Sequence, residues 1–294
     1  MDAIGTFVTI TIFTLMLTIG VNDTVRQLIS LWRRSKVLLR ALLAAIVLVP
    51  MLVALLIWIF DLPPAVATGL ALLAAAPGAP LTTKRAQMAG ADTIYVSSLQ
   101  LTLALLAVVV MPIHLAIFFS LFELTIEAVS PIAIASQIAR ITFLPVVVGL
   151  LLQRFAPKFT TRIRKPLNML ANGMFVLLVL IVVVVLAVTP ELRTMLLLDW
   201  TTIAAIVIMA VAALAIGHFL GGRRAAQHGG LATACVARNF GLALYVATLS
   251  EAGAESVPTL VVYLVLGAVI GILYALWNRR QVEHETDAQA QVPA

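Results

Sequence analysis

The chain has 294 residues, of which 62% are hydrophobic and 11% charged, with a formal net charge of +6 and a mean hydropathy of +1.11. A soluble domain carries roughly 25% charged residues, so this composition excludes a soluble globular protein and marks an integral membrane protein. Its apolar runs approach ~20 residues, too long for barrel strands, so the spans are helices.

Nine spans are predicted, at 3–21, 37–60, 63–91, 93–119, 131–153, 166–188, 200–220, 225–251 and 257–277. The first lacks the basic start and cleavage site of a signal peptide and counts as a span. The third would extend roughly 43 Å as one helix, well beyond a bilayer core of about 30 Å. Pro77-Gly78-Ala79-Pro80 interrupts it, and two prolines with a glycine cannot sustain a continuous helix. The fourth carries Ser97, Ser98 and Gln100 early in its course.

The eighth span, Gly229 to Ser250 at its apolar heart, holds Arg238, Asn239 and Gly241 at its middle. An arginine at the centre of a span costs about 2.5–3.5 kcal/mol on insertion scales, so it faces a bundle interior or a wet cavity. Gly241 is expected to let the backbone leave helical geometry there. This span too is therefore read as broken, with a cation at the break. The tail after Arg280 is polar and expected to be disordered. Cys235 is the lone cysteine, so no intrachain disulfide forms.

The basic residues sort to one side. Arg26, Arg33, Arg34 and Lys36 follow span 1; Arg154, Lys158, Arg162, Arg164 and Lys165 follow span 5; Arg223 and Arg224 follow span 7; Arg279 and Arg280 follow span 9. The other side carries Asp61, Glu123, Glu127, Glu191, Asp199, Glu251 and Glu255, with Arg193. The positive-inside rule places the N-terminus outside and the C-terminus in the cytoplasm of an inner membrane. The basic excess is thus a topology signal; it does not mark a nucleic-acid partner.

The layout repeats. Residues 1–119 hold spans 1–4 with a broken helix third, and 166–277 hold spans 6–9 with a broken helix third. Residues 120–165 supply the linking span 5, and 278–294 form a cytoplasmic tail. The odd span between them makes the two units inverted repeats, and broken helices at matching positions point to a midplane site. Freed carbonyls there favour cations and freed N–H groups favour anions.

LPPAVATGLALLAAAPGAPLTTKRAQMAGAD resembles the first broken helix of the bile acid:sodium symporter family with its preceding loop, and ARNFGLALYVA resembles the second. Leu144-Pro145 with Gly149 fits the same pattern, and the likeness runs from about Leu17 to Trp277. It implies a core domain in which the broken helices cross, a panel domain beside it, and organic anions as substrates. Family members usually show a Glu five residues before the Asn of the second break and a Gln just before that Asn. Here these positions are Ala234 and Arg238. The family's Ser-Asn pair after the first break corresponds to Thr82 and Thr83, followed by Lys84, and a Gln of the preceding helix to Ala45 before Pro50. In the family these residues resemble sodium ligands.

Sodium needs a cage of oxygens, and an arginine in its place repels it strongly at low dielectric. Its guanidinium can meet the same helix-end carbonyls. The expectation is an organic-anion carrier working by alternating access without sodium, with Arg238 and Lys84 in the ions' seats. Candidate binding residues are Thr82, Thr83, Lys84, Ser97, Ser98, Gln100, Arg238 and Asn239; the breaks are assigned to Pro77, Gly78, Pro80 and Gly241. Thr82 and Thr83 are open between substrate contact and back-bonding to their own helix, and Asn239 between ligand contact and capping. Arg85 is read as snorkelling to the interface. Two alternatives stand: a sodium-coupled symporter of the same family, and a membrane sensor or scaffold that does not transport. No acid–base pair lies deep in the spans and no metal or nucleotide motif stands out, so neither an enzyme nor a cofactor is expected.

Overall fold

The computed structural model describes residues 3–124, 131–189, 199–249 and 251–290. Glu127, Glu191 and Arg193, used above for orientation, lie outside the described residues. The described chain is helical and contains no strand. In order it forms α1 (Ala3–Asn22), α2 (Val25–Trp32), α3 (Ser35–Phe60), α4 (Pro64–Ala75), α5 (Thr82–Met88) and α6 (Thr93–Phe122). Then come α7, which runs as Pro131–Ile138, a π-helical turn Ala139–Phe143 and Leu144–Phe155, and α8 (Pro157–Val188). The remainder is α9 (Trp200–Leu220), α10 (Ala225–Val236), α11 (Phe240–Ala247), the short α12 (Glu251–Ala254) and α13 (Val257–Ala290). Eight stretches, counting α10 and α11 as one, are long and apolar enough to cross a membrane. With the broken pair α4/α5 they account for the nine predicted spans of an all-α, multi-pass membrane protein.

Both predicted breaks are present, but they are built differently. α4 ends at Ala75 because Pro77 forces Ala76 out of the helical region (φ −104°, ψ 79°). Gly78 then turns left-handed at φ +80°, where a Cβ would stand only 3.0 Å from the Ala104 nitrogen of α6. Between α10 and α11 no glycine is used. Ala237 and Asn239 leave the helix at ψ near 80° with ordinary negative φ. Gly241 does not make this break: it sits inside α11 with no left-handed φ, and its missing side chain serves Ile12, whose Cγ1 would lie 3.3 Å from a Cβ there.

Packing concentrates protein around the breaks. Within 225–247 the most apolar window is 94% buried, against 22% for that of α8. Non-helical backbone at membrane depth is tolerated only under such cover. α1 lies against α7 and α8. A Cβ at Gly20 would stand 2.1 Å from the Val146 carbonyl, so this contact needs the bare backbone. α4 and α5 pack on α6, and α10 on α9 and α13.

Three features depart from the sequence reading. α2 is an extra helix after span 1, started by a capping box in which Thr24 and Gln27 satisfy each other's backbone N–H groups. α8 begins at Pro157, so the basic stretch before span 6 is helical. The tail, expected to be disordered, is helical over its described residues 281–290, as α13 runs to Ala290. Its Asn278 amide donates to the Ala89 and Ala225 carbonyls at 2.8 and 3.2 Å, and the Glu285 carboxylate accepts the Ala225 N–H at the start of α10. Hydrophobicity alone could not reveal those long-range partners.

Candidate functional site

The two breaks meet. The Asn239 N–H donates to the Ala76 carbonyl at 2.9 Å, joining the second break to the first. The Asn239 side chain accepts from the Leu242 N–H and so starts α11, while its amide reaches the Gly78 carbonyl at 3.5 Å. The Tyr263 hydroxyl of α13 donates to the Val236 carbonyl at the end of α10 at 2.9 Å.

Arg238 is 4% exposed and ties this crossing together. Its Nε donates to the Leu73 carbonyl at 2.9 Å and its Nη2 to the Ala74 carbonyl, both in the last turn of α4. That helix end carries the negative pole of the dipole and unsatisfied carbonyls. Nη1 reaches a third acceptor, Ala45 of α3, at 3.2 Å. Residues Leu43–Leu48 of α3 form a π-helical turn, with the Val49 N–H bonded to the Ala44 carbonyl five residues back. The next residue in that register is Pro50, which has no N–H to offer Ala45. Proline therefore leaves the Ala45 carbonyl open, and Arg238 fills it.

Beside the crossing lies a small cavity of about 30 Å³, lined by Leu15, Arg85, Phe175, Arg238, Phe240 and Leu264 among others. Leu15, Pro80 and Leu81 are shared with a larger cleft of about 630 Å³. The cleft lies between α1 and α8 on one side and α5 and α6 on the other. Lys84, Arg164 and Lys165 line it, opposed by Asp23. The cleft is thus polar and net positive. Asp23 follows the last turn of α1; burial pushes its carboxyl up to about 6, against the pull of a Ser97 hydrogen bond and the Arg164 charge.

The predicted residues divide between these features. Arg238 and Asn239 sit at the crossing, while Thr83, Lys84, Ser97 and Gln100 line the cleft. Lys84 is exposed there and does not join Arg238. Gln100 clamps the first break: its Oε1 accepts from the Thr83 hydroxyl and N–H at 2.6 and 3.2 Å, and its amide donates to the Pro80 carbonyl. The hydroxyls of Thr82 and Ser98 donate to the Ala79 and Ile94 carbonyls of their own chain segments, and neither residue lines the two cavities. Arg85, read from the sequence as snorkelling to the interface, lines the crossing cavity, and sequence reasoning missed Asp23 in the cleft. Asp23 follows the end of α1 and Arg85 lies on a helix of only seven residues, so tertiary packing sets their facing direction and the hydrophobic pattern carries no signal. Among the described residues no group of His, Cys, Asp and Glu is arranged to hold a metal ion.

Against known proteins, a family model described as Sodium Bile acid symporter family matches residues 9–195, a stretch that includes the first break. No curated protein matches the chain.

Proposed function

The chain belongs to the sodium bile acid symporter family, and from that premise we propose that this membrane transporter carries a small organic anion by alternating access without sodium. Arg238 is the observation that carries the reading: its guanidinium rests on carbonyls of both α4 and α3 at the crossing of the breaks. Carbonyls at a helix end and at an interrupted π turn are the oxygens a hard cation would otherwise meet. A fixed guanidinium supplies the positive charge instead and repels a second cation nearby. The net-positive cleft supports an anionic solute. The inverted repeats and the core and panel grouping remain part of this proposal. So does the placement of the basic end, where α1 finishes and α8 starts, on the cytoplasmic side of an inner membrane.

The test uses purified full-length protein in liposomes, with anion uptake measured with and without a sodium gradient. Uptake is expected to be indifferent to sodium. A double variant, A234E/R238Q, places the family's oxygen-bearing residues back at both positions. Its thermal unfolding midpoint in detergent is expected to rise with sodium while that of the parent does not. Sodium-dependent uptake by the parent protein would sink the reading and favour a sodium-coupled symporter.

A further inference from the structure

Arg238 has most of its hydrogen-bonding capacity committed to carbonyls, and the described structure leaves a second cation beside it. Arg85, on the short α5, lines the same cavity as Arg238, and no carboxylate lines that space. Among the described residues its guanidinium makes no hydrogen bond and no ion pair. Arg85 is half-buried. Two guanidinium groups thus face one confined space that no carboxylate lines. Like charges that share a confined space repel, and an anion between the two relieves the repulsion.

The surroundings define what fits. A volume of about 30 Å³ holds one or two water-sized groups, the scale of a head group and not of a solute's body. Leu15, Phe175, Phe240 and Leu264 give the walls an apolar and aromatic character. The cavity adjoins the cleft of about 630 Å³ at Leu15, Pro80 and Leu81, so a solute can reach it with its body left in the cleft. Lys84, Arg164 and Lys165 along the cleft draw anions inward. A planar guanidinium fork with free donors suits a carboxylate or sulfonate in two-point contact.

We propose that Arg85 is the anion seat of this carrier: a carboxylate or sulfonate head lodges between Arg85 and Arg238, and its short apolar body passes Leu15 into the cleft. This rests on the organic-anion reading above and adds to it the residue that takes the anionic head. Arg238 holds the crossing together; Arg85 takes the solute.

The experiment is a thermal-shift titration of the detergent-purified full chain with benzoate, benzenesulfonate, the neutral isostere benzamide, and chloride against gluconate. The parent protein is expected to be stabilised by benzoate or benzenesulfonate and not by benzamide. R85Q should weaken that binding by roughly ten- to hundred-fold, the scale of a lost charged hydrogen-bonding pair. R85K, which keeps the charge but not the fork, should fall between. The ligand-free midpoints of both variants report that they fold. Unchanged benzoate binding in R85Q, with loss in K84Q, would move the anion to the outer cleft and overturn the seat while leaving the carrier reading intact. No response of the parent to any organic anion would overturn both. A chloride response lost in R85Q, without a benzoate response, would overturn the assignment to an organic head group.

Discussion

At the scale of single residues, two charged groups show what sequence can and cannot announce. Arg238 declared itself, because a cation at the middle of an apolar run demands an enclosed partner, and the structure supplies carbonyls. Asp23 gave no such signal: it follows a predicted span and reads as an ordinary loop residue, yet it is 5% exposed. Burial raises its carboxyl from 3.8 to about 6. Between those values the folded chain binds more protons than the unfolded chain, so stability falls as pH rises through that window and stays low above it. D23N removes this dependence. Thermal unfolding in detergent should show the parent losing stability from about pH 4 to about pH 6, the variant staying flatter, and the variant melting higher near neutrality. Parallel pH profiles would mean that Asp23 is solvated in the folded protein. Arg85 was legible as a charge and illegible as a direction, since a half-helix as short as Thr82–Met88 has no face until its neighbours are known.

At the scale of elements, the first break was readable because proline and glycine act through local backbone sterics. The second was readable only through its polar residues, and the glycine beside it misled. Nothing in the sequence pattern marked the π-helical turns in α3 and α7. Each stands directly before a helical segment with proline in its first turn, Pro50 and Pro145. The contrast between glycines yields a test. Gly78 combines φ +80° with a Cβ site 3.0 Å from backbone and side chain of α6, whereas a Cβ on Gly173 of α8 meets nothing within 4 Å. G78A is expected to cost about 1–3 kcal/mol from the left-handed backbone alone, lowering the melting midpoint by several degrees or more. G173A should leave it unchanged or slightly raised, as alanine favours a helix by about 1 kcal/mol over glycine. Equal midpoints for the two variants would contradict the described geometry of the first break.

At the scale of the whole molecule, α1 and α8 face α5 and α6 across the cleft of about 630 Å³, which the alternating access proposed above would open and close. Cys235 is fully buried, so a cysteine introduced elsewhere reports with little background. N172C, on the α8 wall of the cleft, should react with a membrane-impermeant maleimide applied from the basic end. Benzoate should protect it, and reagent applied to the opposite end should reach it only when the carrier cycles. Labelling indifferent to ligand and side would argue for a static scaffold. The tethered guanidinium of Arg238 has one further consequence under the proposed reading. A dissociable cation leaves with its solute and cancels the solute's charge; a side chain stays behind and comes back with the protein. Each turnover then delivers the anion's charge alone, and the step becomes electrogenic. A membrane voltage, negative inside, biases such a step by about 2.3 kcal/mol per charge per 100 mV, and the bias runs toward expulsion from the cell.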